Sequence, residues 1–235
     1  VIWWELCQGL IDLVSPRVCM ACGQPHPREL CGSCRASIPA APPVSKIAGA
    51  PLFCATSYAA PIDGLIQRFK YSGRADLARP LARLIFERLA PELSFPDVWL
   101  VPVPLHPERL AERGYNQAAL LARELARPMA ARLRPRALQR EIATRAQARL
   151  KRDARAENVR DAFRARQAVE GRAVIVVDDV VTTGATVAGS IAALRAARAR
   201  VVGVLAIARA GSAERPEKRV FVRESTMEIA TTLGK

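Results

Sequence analysis

The chain has 235 residues, half of them apolar and a quarter charged, with a formal net charge of +14. That length suffices for one α/β domain with its own core plus a small appendage, and the composition excludes a disordered chain. No run approaches the ~18 apolar residues of a membrane span, and the basic excess points to an anionic partner: a phosphorylated metabolite, nucleic acid, or both. A codon-biased genome would explain arginine in place of lysine, but not the excess over Asp and Glu.

At the N-terminus Trp3, Leu6, Leu10 and Leu13 fall at helical spacing and predict a short amphipathic helix that packs on its own protein. The segment has no basic n-region and is interrupted by Glu5 and Asp12, so it is not expected to be a signal peptide. A cytoplasmic chain with reduced thiols is expected. Cys19-Met-Ala-Cys22 and Cys31-Gly-Ser-Cys34 follow, two C-x₂-C knuckles separated by eight residues. Each knuckle can bring two thiolates to one metal, and four complete a closed tetrahedral zinc site. So little apolar material is available here that the metal would supply much of the module's folding energy. Gly23 and Gly32 are expected in tight turns. Disulfides are disfavoured by compartment, and a thioredoxin-like motif would not come doubled. Cys7 and Cys54 read as buried apolar residues and His26 as a loop residue. The module spans 1–45, and its proline-rich end, Pro39 to Pro43, reads as a linker.

Residues 50–210 alternate apolar runs with helical patterns, the signature of a parallel sheet with crossover helices. Strands are expected at Val98–Val103, Ala173–Asp178 and Val201–Ile207, each a short Val-rich run suited to burial on both faces. Helices are expected at Ile62–Lys70, Ala75–Leu89, Asn116–Ala131 and Gly184–Ala199. Between Arg132 and Arg172 the chain carries thirteen Lys/Arg against five Asp/Glu with poor apolar spacing. That stretch reads as a basic, mobile excursion with some helix, a lid. Residues 211–235 read as a flexible tail.

The strongest signal is Ala173-Val-Ile-Val-Val-Asp178-Asp179-Val-Val-Thr182-Thr183-Gly184-Ala185-Thr186. An apolar strand runs into two carboxylates, then a turn of hydroxyls and glycine, then an Ala-rich helix. Ligands bind at the carboxyl ends of parallel strands, and a helix N-terminus suits a phosphate monoester. Gly184 lets the backbone close on the phosphate, and Thr182, Thr183 and Thr186 can add hydroxyl donors. Asp178 and Asp179 can accept from sugar hydroxyls, and a diol or a Mg²⁺ between them resolves their repulsion of the phosphate. A Walker B strand would look similar, but the G-x-x-x-x-G-K-[ST] loop it needs is absent. The bland alternative is a strand that ends in Asp before a capped helix.

Upstream, the strand in Leu100-Val-Pro102-Val-Pro104-Leu-His106 is expected to exit the sheet at its alternating prolines. Arg109 and Arg113 come next, before the helix start at Asn116. Guanidinium forks at the mouth of a sheet match diphosphate oxygens; a solvated basic turn is the alternative.

The Asp-Asp/Thr-Thr-Gly-Ala-Thr loop resembles the PRPP-binding motif of type I phosphoribosyltransferases. Together with the four cysteines, Phe69-Lys70-Tyr71, Val-Pro-Val-Pro-Leu-His and Arg-Gly-Tyr-Asn-Gln, it resembles the ComF family of competence-associated proteins over roughly residues 15–210. The resemblance implies a type I phosphoribosyltransferase-like α/β fold with a zinc module in front. It implies that Asp178 and Asp179 hold the ribose hydroxyls and that Thr182, Thr183, Gly184, Ala185 and Thr186 cradle the 5-phosphate. The turn of Val103 and Pro104, with Lys70, Arg109 and Arg113, becomes the candidate pyrophosphate site. The basic stretch holding Gln147, Leu150, Arg152, Arg155 and Asn158 to Arg160 becomes the flexible loop over it. The implied chemistry is Mg²⁺-dependent phosphoribosyl transfer from PRPP to an unknown nucleophile. The alternative is a binding module in DNA uptake, with single-stranded DNA or a helicase-like partner.

Overall fold

The computed structural model describes residues 17–93, 95, 97–140, 162–166 and 169–211. The expected N-terminal helix, the central part of the expected lid and the expected tail lie outside the described residues.

Among the described residues seven strands form one sheet: β1 (Ser45–Ile47), β2 (Ala50–Ser57), β3 (Trp99–Pro102), β4 (Arg132–Leu133), β7 (Ala173–Val177), β8 (Val180–Val181) and β9 (Arg200–Arg209). A two-stranded antiparallel ribbon, β5 (Leu138–Arg140) with β6 (Phe163–Ala165), stands beside it. The main order is β1-β2-β9-β7-β3-β4, with β8 continuing along β9. Every pair is parallel except β1 with β2. β7 lies in the middle, and residues 174–177 are all buried, which is why Ala-Val-Ile-Val-Val shows no alternation.

The helices among the described residues are α1 (Gly32–Ala36), α2 (Ile62–Tyr71), α3 (Ala78–Leu89), α4 (Pro107–Arg113), α5 (Gln117–Ala126) and α6 (Ala185–Ala196). A 3₁₀ turn at Ala75–Leu77 leads into α3 and leaves Pro80 in its first turn, where the missing N–H costs nothing. α2, α3 and α5 cover one face of the sheet, in a core that includes Ile62, Ile66, Phe69, Ile85, Leu121 and Leu125. α6 and the β5–β6 ribbon cover the other, through Val187, Ile191, Leu138 and Phe163. Each such side chain taken fully from water contributes roughly 1.5–3 kcal/mol.

Several expected boundaries move. The helix expected over 116–131 stops at Ala126, because Pro128 follows and Ala130 turns to φ 48° before β4. The helix expected over 184–199 stops at Ala196, and Arg198 at φ 60° redirects the chain into β9. Pro102 stays inside β3, opposite Val177. Val103 N–H bonds to Val177 O, so the alternate nitrogen at Pro102 faces the β4 side, where β4 has already stopped at Leu133. Arg109 and Arg113 lie on a short helix, α4, rather than in an open turn. The basic excursion is structured at both ends, as β4 and as the β5–β6 ribbon that returns the chain to β7. Gly32 opens α1 in place of a turn, whereas Gly23 at φ 76° is the turn glycine expected.

The cysteine segment packs against the sheet domain. Met20, Ala21, Leu30 and Ile38 join the core under α2 and α3, and Arg68 on α2 donates to Met20 O. The proline-rich stretch is pinned as well: Pro39 O accepts from Thr56 Oγ1 at 2.8 Å and from Arg88. Arg88 also donates to Ala55 O at 3.0 Å and Ile38 O at 3.2 Å. One guanidinium thus ties α3, β2 and the stretch after α1 together. Arg88→Met, which keeps the apolar stem and removes all three bonds, is expected to cost about 2–4 kcal/mol in urea unfolding. Arg83→Met on the exposed side of α3 is expected to stay within about 0.5 kcal/mol.

Candidate functional site

β3 and β7 run side by side until the Val103–Val177 hydrogen bond of 2.9 Å, and there they part. The chain after β3 turns outward to α5 and β4; the chain after β7 turns the other way to α6 and β9. This is the topological switch point of the sheet, where a crevice opens at the strands' carboxyl ends. Residues 178–181 remain sheet-bonded on one side only, through Asp178 N to Leu205 O (2.9 Å) and Ile207 N to Asp179 O (3.0 Å), and then through β8. Asp178 and Asp179 therefore stand beside the place that β3 has vacated.

Their environments differ. Asp178 Oδ1 accepts from Asp179 N at 2.8 Å, and Asp179 Oδ1 accepts from Val180 N at 2.6 Å. Asp179 also forms an ion pair with Lys70 Nζ at 3.0 Å. Asp178 has no such cation in contact among the described residues. Burial first, and then the neighbouring Asp179 charge, push its carboxyl from the ordinary 3.8 to about 7. The pair combines one clamped carboxylate with one that is short of countercharge. Such a pair suits a diol or a hard cation, since both favour ionised oxygen.

The loop beyond leads to α6. Gly184 takes φ 77°, a left-handed conformation that L side chains rarely adopt, and a Cβ there would also lie 2.9 Å from the tip of the Ile47 side chain on β1, which would have to shift. Gly184 is therefore needed for the turn. It caps α6 without a side-chain hydrogen bond, so backbone N–H groups of the first turn remain available to a ligand. Ala185 N makes only a long contact, 3.4 Å, to Thr183 Oγ1. Thr182, Thr183 and Ala185 are exposed and Thr186 partly so.

Across the crevice, Val103 uses both backbone groups within the protein, N–H to Val177 O and C=O to Asn116 Nδ2 at 3.0 Å. Pro104 follows, partly exposed. His106 caps α4, accepting from Glu108 N at 3.4 Å. Arg113 donates to Gln117 Oε1 at 3.1 Å and Tyr71 Oη at 3.4 Å, and its guanidinium lies 4.9 Å from the Tyr71 ring centre. Arg109 is exposed on α4, and its charge helps burial to lower the pKa of Arg140 at the foot of the β5–β6 ribbon. Lys70 lies across the crevice on Asp179. The residues that sequence reasoning quoted without a role are Tyr115 and Gln117. Both donate to Phe69 O, at 2.6 and 3.3 Å, and so join the 113–117 segment to the end of α2. Their occurrence in the same chain as the Phe-Lys-Tyr run, 46 and 48 residues after Phe69, gave no local signal of the contact, and only the fold brings them together.

On the far side of α2, the four sulfurs of Cys19, Cys22, Cys31 and Cys34 lie within 4.8 Å of one another, with Cys22 and Cys31 3.9 Å apart. Tetrahedral Zn–S bonds of ~2.3 Å place sulfurs about 3.8 Å apart, so this cluster could hold a zinc ion. Backbone N–H groups point at the sulfurs, Cys31 N to Cys19 Sγ (3.3 Å) and Cys34 N to Cys31 Sγ (3.4 Å), which suits thiolates. Burial raises the Cys19 thiol pKa, but hydrogen bonds from the Cys22, Cys31 and Ala21 backbone outweigh it and bring it to about 6. Cys34 is pushed up to about 12 by hydrogen bonding to Cys31 and Cys22. Cys54 is buried in β2, and burial pushes it to about 12, which fits the apolar role expected. His26 lies in the loop between the knuckles, where Nδ1 accepts from Arg28 N. Among the described residues no helix is long and apolar enough to cross a membrane.

Residues 111–232 match the phosphoribosyl transferase domain family, and the sheet, crevice and helix-opening loop define a protein of that class. The chain is 34% identical over 194 residues to the DNA utilization protein YhgH of Salmonella typhimurium, covering 79% of this chain and 82% of that protein. It is 35% identical over 137 residues to competence protein F of Haemophilus influenzae, covering 55% of this chain and 59% of that one. Competence protein ComFC of Bacillus subtilis is 34% identical over 126 residues, or 52% of this chain and 48% of that protein. Within the class, the chain belongs to the ComF family.

Two expectations follow. The folded chain holds an extra proton on Asp178 between about pH 4 and 7, so this residue's contribution to stability falls as pH rises through that window. Asp178→Asn is therefore expected to raise the melting temperature at pH 8 and to change it little at pH 4; equal melting shifts at both pH values would refute the assignment. Metal analysis is expected to find one zinc per chain, and Cys31→Ser to lose the metal together with several degrees of melting temperature.

Proposed function

We propose that this chain binds PRPP in the crevice and transfers its phosphoribosyl group to a nitrogen nucleophile. The observation that carries the reading is two carboxylates placed where β3 has ended, directly before a helix N-terminus without a side-chain cap. In this reading the 5-phosphate rests on Thr182 to Thr186 and the N–H groups of α6. Asp178 and Asp179 accept from the ribose hydroxyls and hold the ring in place. Arg109 and the turn at Val103 and Pro104 face the diphosphate, while Arg113, tied to Tyr71 and Gln117, fixes the shape of that wall.

In the reaction, the bond from C1 to the diphosphate oxygen breaks, and its electron pair leaves with the diphosphate. The nucleophile's lone pair forms the new C1–N bond, and the nitrogen gives up a proton. When bound, Mg²⁺ supplies neutralisation of the departing diphosphate; the free oxygens of the Asp178–Asp179 pair and the sugar hydroxyls fit such an ion. Positive charge developing at C1 is stabilised by the carboxylates below it. Water must be kept out, because hydrolysis of PRPP competes.

A second reading rests on the net charge of +14 and on the relatives named for competence and DNA utilization. Here the chain acts in DNA uptake during natural transformation, in the cytoplasm, with single-stranded DNA or a helicase-like protein as its partner. Phosphate contacts would dominate such binding, because aromatics make up only 5% of the residues. The two readings are compatible, with the sugar-phosphate site gating a DNA-handling protein.

Calorimetric titration with PRPP and Mg²⁺ tests the first reading. Wild type is expected to bind, and the doubly substituted Asp178→Asn, Asp179→Asn chain to bind at least a hundredfold more weakly while still melting cooperatively. A folded wild type that binds no PRPP would leave the second reading in its place.

A further inference from the structure

The ammonium of Lys70 reaches the crevice from α2, an element outside both loops that form the site, and sits 3.0 Å from Asp179 Oδ1. Its side chain is 19% exposed and that of Asp179 11%, so water screens the pair poorly. Lys70 is the penultimate residue of α2, and both of its neighbours are held from the opposite wall. Phe69 is fully buried, and its carbonyl accepts from Tyr115 Oη and Gln117 Nε2. The Phe69 and Tyr115 rings lie 5.8 Å apart. Tyr71 accepts from Arg113 and lies under its guanidinium. Lys70 thus follows a fully buried Phe69 and precedes an exposed Tyr71 that Arg113 contacts, so the backbone that carries it is held from the opposite wall. A cation this constrained, in contact with one carboxylate of a ligand pair, has a consequence for any anionic ligand. Two adjacent carboxylates repel an incoming diphosphate, and a positive charge held against one of them offsets that repulsion. An ammonium has three donors, and Asp179 takes one of them.

We propose that Lys70 is a resident cation of the sugar site, a positioning residue that supplies Asp179 with part of the countercharge a divalent ion would otherwise provide. It rests on the sugar-phosphate reading above. The protein then needs less divalent cation to accept a diphosphate-bearing pentose, and Lys70 holds Asp179 ready before the ligand arrives.

The test is calorimetric titration of the full chain with PRPP at a series of Mg²⁺ concentrations, with ribose 5-phosphate as the diphosphate-free comparison, for wild type, Lys70→Met and Lys70→Arg. Lys70→Met is expected to raise the Mg²⁺ concentration for half-maximal PRPP binding on the order of tenfold. Its effect on ribose 5-phosphate is expected to be smaller, and Lys70→Arg to restore most of the wild-type Mg²⁺ dependence. A merely structural lysine would weaken both ligands alike and leave the Mg²⁺ dependence where it was. An unchanged Mg²⁺ requirement in a folded Lys70→Met, beside a wild type that binds PRPP, overturns this inference alone. A wild type that binds neither sugar phosphate overturns the sugar-phosphate reading and this inference with it. Should Lys70→Met fail to melt cooperatively, Lys70→Gln carries the same comparison.

Discussion

β3 and β7 are neighbours for four residues and then separate, and the hydrogen bond from Val103 N to Val177 O is the last between them. The carboxylate pair and the two loops that follow the strands are arranged around that parting. β7's continuation stays attached to β9 and is rigid on that side, while its other side faces the gap. Two carboxylates in the middle of a sheet would be ruinous; at this point they have room for a ligand. The same parting sends the two following loops in opposite directions, so that one wall of the crevice is helix-opening backbone and the other a proline-shaped turn. A parallel sheet makes such a place once, where its winding reverses.

The gap would be of little use if its walls moved independently. α2 prevents this. Its last residues are gripped by Tyr115, Gln117 and Arg113 from one wall, and its lysine reaches Asp179 on the other. Its outer face carries the cysteine segment through Arg68 and Met20. The segment is therefore continuous with the main core, and a metal held by its four sulfurs would brace the helix that carries Lys70. Arg88 contributes from α3, drawing the proline-rich stretch onto β2. A run that looks like a linker in sequence is fastened by hydrogen bonds that come from elsewhere in the chain.

How much could be read beforehand depended on whether the physics was local. Ala173–Asp178 is legible as a central strand because burial on both faces demands an uninterrupted apolar run. The two C-x₂-C knuckles are legible because ligand geometry at a metal fixes short spacings. The Asp-Asp to Thr-Gly loop is legible for a similar reason, since a strand end, a left-handed glycine and a helix start must follow one another in the chain. β2 was missed although it pairs with β9 along most of its length, because Pro51 and a run of mixed small residues give it no pattern of its own. The β5–β6 ribbon was missed because its partners stand more than twenty residues apart.

The sequence by itself determined the class of fold, the family resemblance, the four cysteines that could hold a zinc ion and the Asp-Asp to Thr-Gly loop that runs from β7 into α6. Each depends on neighbours along the chain. Tertiary structure alone decided what those residues are worth. It placed Lys70 on Asp179, engaged Arg113 with Tyr71, fitted Ile47 against Gly184, and left Asp178 partly buried with no ion pair among the described residues. The three contacts join residues tens of positions apart, and charge and packing act across space without regard to sequence distance.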